Sequence, residues 1–167
     1  MSGSVLFTDL VGFTEYNGVV GDVAALRVLD QQTSIVSSVI SGCDGARIVK
    51  ELGDGLMVWF ATAVDGLGSA TQLLAEIDNA RSSGTFPLAM RLGMHHGETL
   101  ARGDDLIGQT VNIAARVCAL AGPGELLVSE ELVAALGGRS ASNGVEPIGP
   151  TRVKGIDQPI WLHRIAL

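Results

Sequence analysis

Basic residues are scarce in this sequence. Its 167 residues include 11 Lys and Arg against 18 Asp and Glu, a formal net charge of −7. That balance argues against binding nucleic acid through the overall field. An anionic ligand would need local help from a metal ion or a few placed cations. Cysteine is scarcer still. Cys43 and Cys118 are the only two, too few for a disulfide framework or a zinc site, and a reducing, cytoplasmic setting is expected. Long apolar runs are missing as well: the longest, Leu56 to Ala61, falls far short of a membrane span. No basic stretch with a following apolar segment opens the chain, so no secretion signal is expected. Repeats, linkers and low-complexity segments are also lacking. What remains is 47% hydrophobic and 17% charged, a globular composition long enough to bury a core. One domain over residues 1–167 is expected.

Apolar periodicity and turn chemistry divide the chain into elements. "VLFTDLVGFT" reads as a strand from Val5 that runs into Asp9 and a glycine-centred turn. Asp22 is placed to cap a helix carrying Leu26, Leu29, Val36, Val39 and Ile40, with Gly42 as its stop. "ARIVKELGDGLMVWF" reads as a hairpin, because Gly-Asp-Gly between apolar runs signals a tight turn. A second helix spans Val64 to Arg81, with Leu67, Ala70, Leu74 and Ile77 on one face. In "PLAMRLGMHHG", Leu88, Met90, Leu92 and Met94 alternate as in a half-buried strand. "QTVNIAARVCALAGPG" gives a helix ending at Gly122-Pro123. A short strand "ELLV" leads to a helix capped by Ser129. The tail, residues 143–167, closes with a strand from Ile160 to Ile165. The order predicts an α+β fold with a ferredoxin-like βαββαβ core and additional C-terminal strands and helix. Many functions use that plan.

Two carboxylates stand out. Asp9 ends the first strand, and Asp54 sits in the hairpin turn "LGDG". A ferredoxin-like sheet can bring the two strand ends together, and paired carboxylates there can hold divalent ions for phosphoryl transfer. Alone, Asp54 reads more readily as an ordinary turn residue. Asn112 and Arg116, four apart in "TVNIAAR", share a helix face. They could orient a sugar and neutralise a phosphate, or form a solvated polar surface. His95 and His96 are neighbours on a strand and must point to opposite faces, so both are read as structural or surface residues.

Together "FTDLVGFT", "KELGDG", "LGMHHGE" and "DLIGQTVNIAAR" resemble, in order and spacing, the catalytic domain of class III adenylyl and guanylyl cyclases. The resemblance runs from Val5 to about Ile165. It implies that Asp9 and Asp54, with the Leu10 carbonyl, bind two divalent cations, Mg2+ or Mn2+. Lys50 and Asp105 match the pair that reads the purine, and Lys with Asp is the combination associated with adenine. Guanylyl cyclases of the family tend to carry Glu and Cys there. Asn112 matches the residue that positions the ribose, Arg116 one that stabilises charge on the α-phosphate, and Lys154 one that holds the terminal phosphates. The turn at Gly12, Phe13 and Thr14 would offer backbone N–H groups to the same phosphates. Arg152 falls on no clear motif position.

The implied activity is an adenylyl cyclase that converts ATP to cyclic AMP and pyrophosphate. In the family each site is shared between two chains, so a homodimer is expected. The short path from Lys50 to Asp54, roughly 13 Å if extended at about 3.3 Å per residue, agrees with such a division. The rival readings are a guanylyl cyclase and an inactive nucleotide-sensing dimerisation module. Lys50 and Asp105 count against the first; the presence of all seven matching side chains counts against the second.

Overall fold

Alternation along the first strand sets the architecture. In β1 (Ser2–Leu10), Leu6 and Leu10 pack to one side while Val5 and Phe7 pack to the other. The computed structural model, which describes residues 1–138 and 144–166, shows why a strand can be apolar on both faces. Helices α2 (Asp22–Ile40) and α3 (Ala63–Ser82) cover one side of the sheet through Val28, Val36, Ile40, Leu73 and Ile77. Helix α4 (Gln109–Leu120) covers the other through Val111, Ala114 and Cys118.

The strands β2 (Arg47–Leu52), β3 (Gly55–Phe60), β4 (Met90–Glu98), β7 (Leu126–Ser129), β8 (Val145–Thr151) and β9 (Ile160–Ile165) complete a seven-stranded sheet ordered β2-β3-β1-β4-β7-β9-β8. The first four in that order are each antiparallel to their neighbours, which is the ferredoxin-like core. Among the described residues, the one parallel pair of neighbours is β4 with β7. A separate two-stranded hairpin, β5 (Leu100–Arg102) with β6 (Asp105–Ile107), precedes α4.

Two close approaches fix how this frame is assembled. A Cβ on Gly93 would lie 2.0 Å from the Cys118 nitrogen, so α4 lies directly on β4 only because residue 93 is glycine. A Cβ on Gly55 would meet the Thr8 carbonyl oxygen at 2.5 Å. The strand ends that carry Asp9 and Asp54 are thereby allowed to touch.

Several sequence expectations change. Gly12, Phe13 and Thr14 are not an isolated turn. Gly12, at φ 75, is the N-cap of α1 (Phe13–Val20), a helix with no fully buried residue and hence no apolar period to reveal it. Asp22 does not cap α2: Gly21 does, and Asp22 is the first helical residue, where its charge still suits the helix's positive end. Leu26 is 57% exposed. The buried stripe is Ala25, Val28, Gln32, Val36 and Ile40, which begins with a small residue and contains a polar one. Leu88 precedes β4 rather than belonging to it. The hairpin β5–β6 and the strand β8 were not anticipated. Asn143 and Leu167, the ends of the tail as read from sequence, lie outside the described residues.

Candidate active site

The register of the sheet makes the carboxylate cluster. Asp9 pairs across β1–β3 with Gly55, directly after Asp54, and across β1–β4 with Arg91. Odd-numbered residues of β1 face α4, so Asp9 points to that side with Phe7. Arg91 donates from Nε to Asp9 Oδ2 at 2.7 Å, completes the ion pair with Nη2 at 2.6 Å from the same oxygen, and donates from Nη1 to the Ala119 carbonyl near the end of α4. Burial, followed by the charge of Asp9, pushes the Asp54 carboxyl above the ordinary aspartate range. A shallow cavity of about 210 Å³ beside Asp9 is lined by Thr8, Arg91, Ala115 and Cys118 among others. Among the described residues no third His, Cys, Asp or Glu joins the two carboxylates to make a metal-ligating cluster.

The raised pKa has a stability consequence. Asp54 takes up a proton more readily in the folded chain than in the unfolded one. Its ionisation therefore opposes folding, a penalty absent at low pH that sets in as pH rises through the folded-state pKa. Asp54→Asn is expected to raise the metal-free melting temperature at neutral pH. The gain should shrink as pH falls into and below the carboxylate range. Thermal unfolding across pH checks this, and a variant that melts with wild type at every pH would disprove the repulsion.

A second pair forms on β2. Lys50 donates from Nζ to Asp105 Oδ2 at 2.8 Å. The lysine's hydrogen bond is the main cause holding the Asp105 carboxyl below the usual aspartate range. A β-bulge makes the contact possible. Arg47 pairs with Trp59 and Lys50 with Met57, leaving Val49 as the extra residue between them. Without it, residues three apart would face opposite ways. With it, both cations face the β5–β6 hairpin, and Arg47 donates to the Asp104 carbonyl at 2.9 Å. Glu51 points away, accepting from Thr33 of α2, as strand alternation requires.

A third group gathers around α4. Asn112, Arg116 and Lys154 line a cavity of about 290 Å³ with Ala115, Gly155 and Ile156. Val153 packs against Ile113 and Val117, which docks the turn bearing Lys154 onto the helix. Ile156 N–H donates to the Val153 carbonyl across that turn, and Gly155 supplies the positive φ of 83°. Arg152 is exposed and lines no part of this cavity.

The remaining polar candidates play structural parts. His95 lies within hydrogen-bond distance of Ser129 Oγ at 2.7 Å, and His96 of Ser4 Oγ at 2.9 Å, on opposite faces of β4. Burial lowers the pKa of both rings. Burial, with Asp9 adding to it, pushes the Cys118 thiol up to about 12, so it is a protonated, inert neighbour of the carboxylates. Sequence reasoning missed Arg91. Its signal was a lone cation inside an apolar strand, but only the β1–β4 register shows that it faces Asp9.

An antiparallel ferredoxin-like core with two carboxylates at adjacent strand ends is an arrangement able to hold divalent cations for phosphoryl transfer. The family model for the adenylate and guanylate cyclase catalytic domain matches residues 2–165, and the chain belongs to that family. An uncharacterized protein of Mycobacterium tuberculosis strain H37Rv is 32% identical over 95% of this chain and 40% of its own length. A pH-sensitive adenylate cyclase of Mycobacterium tuberculosis is 28% identical over 97% of this chain and 40% of its own length. The chain thus spans 40% of the length of these two relatives. Among solved structures, the adenylyl cyclase CyaB from P. aeruginosa superposes with a TM-score of 0.85 at 23% identity, covering 99% of this chain and 94% of that one. That likeness establishes the fold. No helix among the described residues is long and apolar enough to cross a membrane.

Proposed function

We propose that this chain is an adenylyl cyclase that forms cyclic AMP and pyrophosphate from ATP at two sites shared across a homodimer. The observation that carries the base choice is the Lys50–Asp105 pair. Adenine offers an acceptor at N1 and a donor at its exocyclic amine, matching a lysine donor and an aspartate acceptor. Guanine puts a carbonyl where the amine would be, and Asp105 would then face another acceptor. The pairing between the two side chains keeps both in place and neutralised until a base takes over their hydrogen bonds.

The donor set suits hard cations. Asp54 and Asp9 are close enough to raise the Asp54 pKa, and both offer only oxygen, the ligand that Mg2+ and Mn2+ prefer. The Leu10 carbonyl, next to Asp9, would complete the protein's share, with substrate phosphates supplying the rest. Divalent ions bound there would acidify the ribose 3′-hydroxyl and neutralise charge on the phosphates. Arg91 pairs with Asp9 when no cation does, which stops the two carboxylates from repelling each other unchecked.

The chain's other residues bind and orient. Asn112 would hold the ribose, and Arg116 would meet the charge that builds on the α-phosphate during in-line attack. Lys154 would hold the leaving pyrophosphate. The first N–H groups of α1, at Phe13 and Thr14, precede the first intrahelical bond, from Tyr16 N–H to the Gly12 carbonyl, and would receive phosphate oxygens. The shared site is supported by the separation of the two groups of residues. Asp9 lines one cavity against Ala115 and Ala119, whereas Asn112, Arg116 and Lys154 line another, with Ala115 on the border of both. Exposed apolar side chains flank both groups, Leu52 beside Asp54 and Ile107 beside Asp105, as an interface would require.

The direct test incubates the purified chain with Mn2+ and ATP or GTP and identifies the product. Cyclic AMP is expected from ATP, with little product from GTP; no cyclic product from either would end this reading. Base choice is tested by the double variant Lys50→Glu, Asp105→Cys. It is expected to lose at least about tenfold in ATP over GTP preference, since unpaired polar groups discriminate strongly. Unchanged preference would show that these residues do not read the base.

A further inference from the structure

Gln32 is an anomaly in the fold. It occupies the middle of the buried stripe of α2, between Val28 and Val36, and is 1% exposed. A polar side chain there costs stability unless its hydrogen bonds are met. Its Nε2 donates to Thr8 Oγ1 at 3.1 Å and to the Asp54 carbonyl at 3.3 Å. Thr8, itself 2% exposed, accepts in addition from Leu56 N–H at 3.1 Å. One amide therefore ties together the residue before Asp9 and the backbone of Asp54. It does so from the side of the sheet opposite to Asp9, where it cannot touch a ligand of the carboxylates.

We propose that Gln32 is a positioning residue for the Asp9–Asp54 cation site, a role that rests on the function proposed above. Asp54 lies in the two-residue tip of a hairpin, where little else holds the peptide plane. Fixing its carbonyl fixes the direction in which its side chain leaves the backbone. The Thr8 hydroxyl, shared by Gln32 and Leu56 N–H, locks β3 against β1 at the point where Gly55 admits the closest contact. The carboxylates then hold their spacing despite mutual repulsion. Supporting hydrogen bonds behind metal ligands commonly govern affinity by 10- to 100-fold.

The test uses Gln32→Met, which keeps length and removes the donor. Mn2+ binding to the ligand-free chain is followed by the electron paramagnetic resonance of free Mn2+, beside melting temperature and steady-state kinetics. Mn2+ affinity is expected to fall about tenfold, and kcat with it. The KM for ATP should stay near wild type, because the base and ribose contacts are untouched, and the melting temperature should fall only modestly, because an apolar isostere suits the stripe while the Asp54 carbonyl loses its donor. Wild-type Mn2+ affinity in a folded Gln32→Met protein overturns the proposal. Should that variant fail to fold, Thr8→Val removes the shared hydroxyl from a β-branched strand position. It is expected to lose Mn2+ affinity equally, and a wild-type value there is also fatal. A wild-type chain that binds no Mn2+ would instead defeat the cation-site reading itself.

Discussion

Asp9→Ala and Asp54→Ala are each expected to lose cyclase activity by about 10³-fold or more while remaining folded. Cations at such a site supply several kcal/mol of transition-state stabilisation, and each 1.36 kcal/mol is a factor of ten. One carboxylate cannot hold what two were placed to hold. The two variants should nonetheless move stability in opposite directions. Asp54→Ala removes a carboxylate whose ionisation burial and Asp9 oppose, so the metal-free protein should melt higher at neutral pH. Asp9→Ala takes away the ion-pair partner and hydrogen-bond acceptor of Arg91 and leaves a half-buried guanidinium with only the Ala119 carbonyl, so it should melt lower. This contrast separates the chemical role from the structural one. Calorimetry with a cyclic AMP assay measures both, and near-wild-type turnover in either variant would remove the two-carboxylate site.

The parts of this arrangement that were legible in sequence are those written in short local patterns. The alternation of Met90, Leu92 and Met94 gave β4, and Gly-Asp-Gly gave the β2–β3 hairpin with Asp54 at its tip. Asp9 at a strand end was visible for the same reason. What stayed hidden depends on register. Arg91 is as far as 82 residues from Asp9 in sequence, and no local pattern shows that the two face each other. The bulge at Val49 was hidden too, because one extra residue in β2 leaves the apolar pattern of the hairpin intact while it turns Lys50 toward Asp105. Asp105 sits in a hairpin of two three-residue strands, too short for a period of two to register. Gln32 gave no sign in sequence, since its role depends on partners in β1 and in the β2–β3 turn.

Mixing two inactive variants is expected to restore activity, and this follows from the proposed division of each site between two chains. Asp54 belongs to the carboxylate group at the β1 and β3 ends, while Arg116 lines the cavity with Lys154. If each site takes its carboxylates from one chain and its Arg116 from the partner, homodimers of Asp54→Ala and of Arg116→Ala each lack a group in both sites. In a mixed dimer one site collects both lesions. The other receives Asp54 from the Arg116→Ala chain and Arg116 from the Asp54→Ala chain, and is whole. Random exchange makes about half of the dimers mixed, each with one working site of two, so recovery should approach roughly a quarter of wild-type activity at equal mixing. Cyclic AMP formation is measured against mixing ratio, with subunit exchange verified by a labelled chain. The curve should peak at equal amounts and vanish at both ends. An absence of recovery despite proven exchange would defeat the shared site, as would a wild-type enzyme that turns over while monomeric.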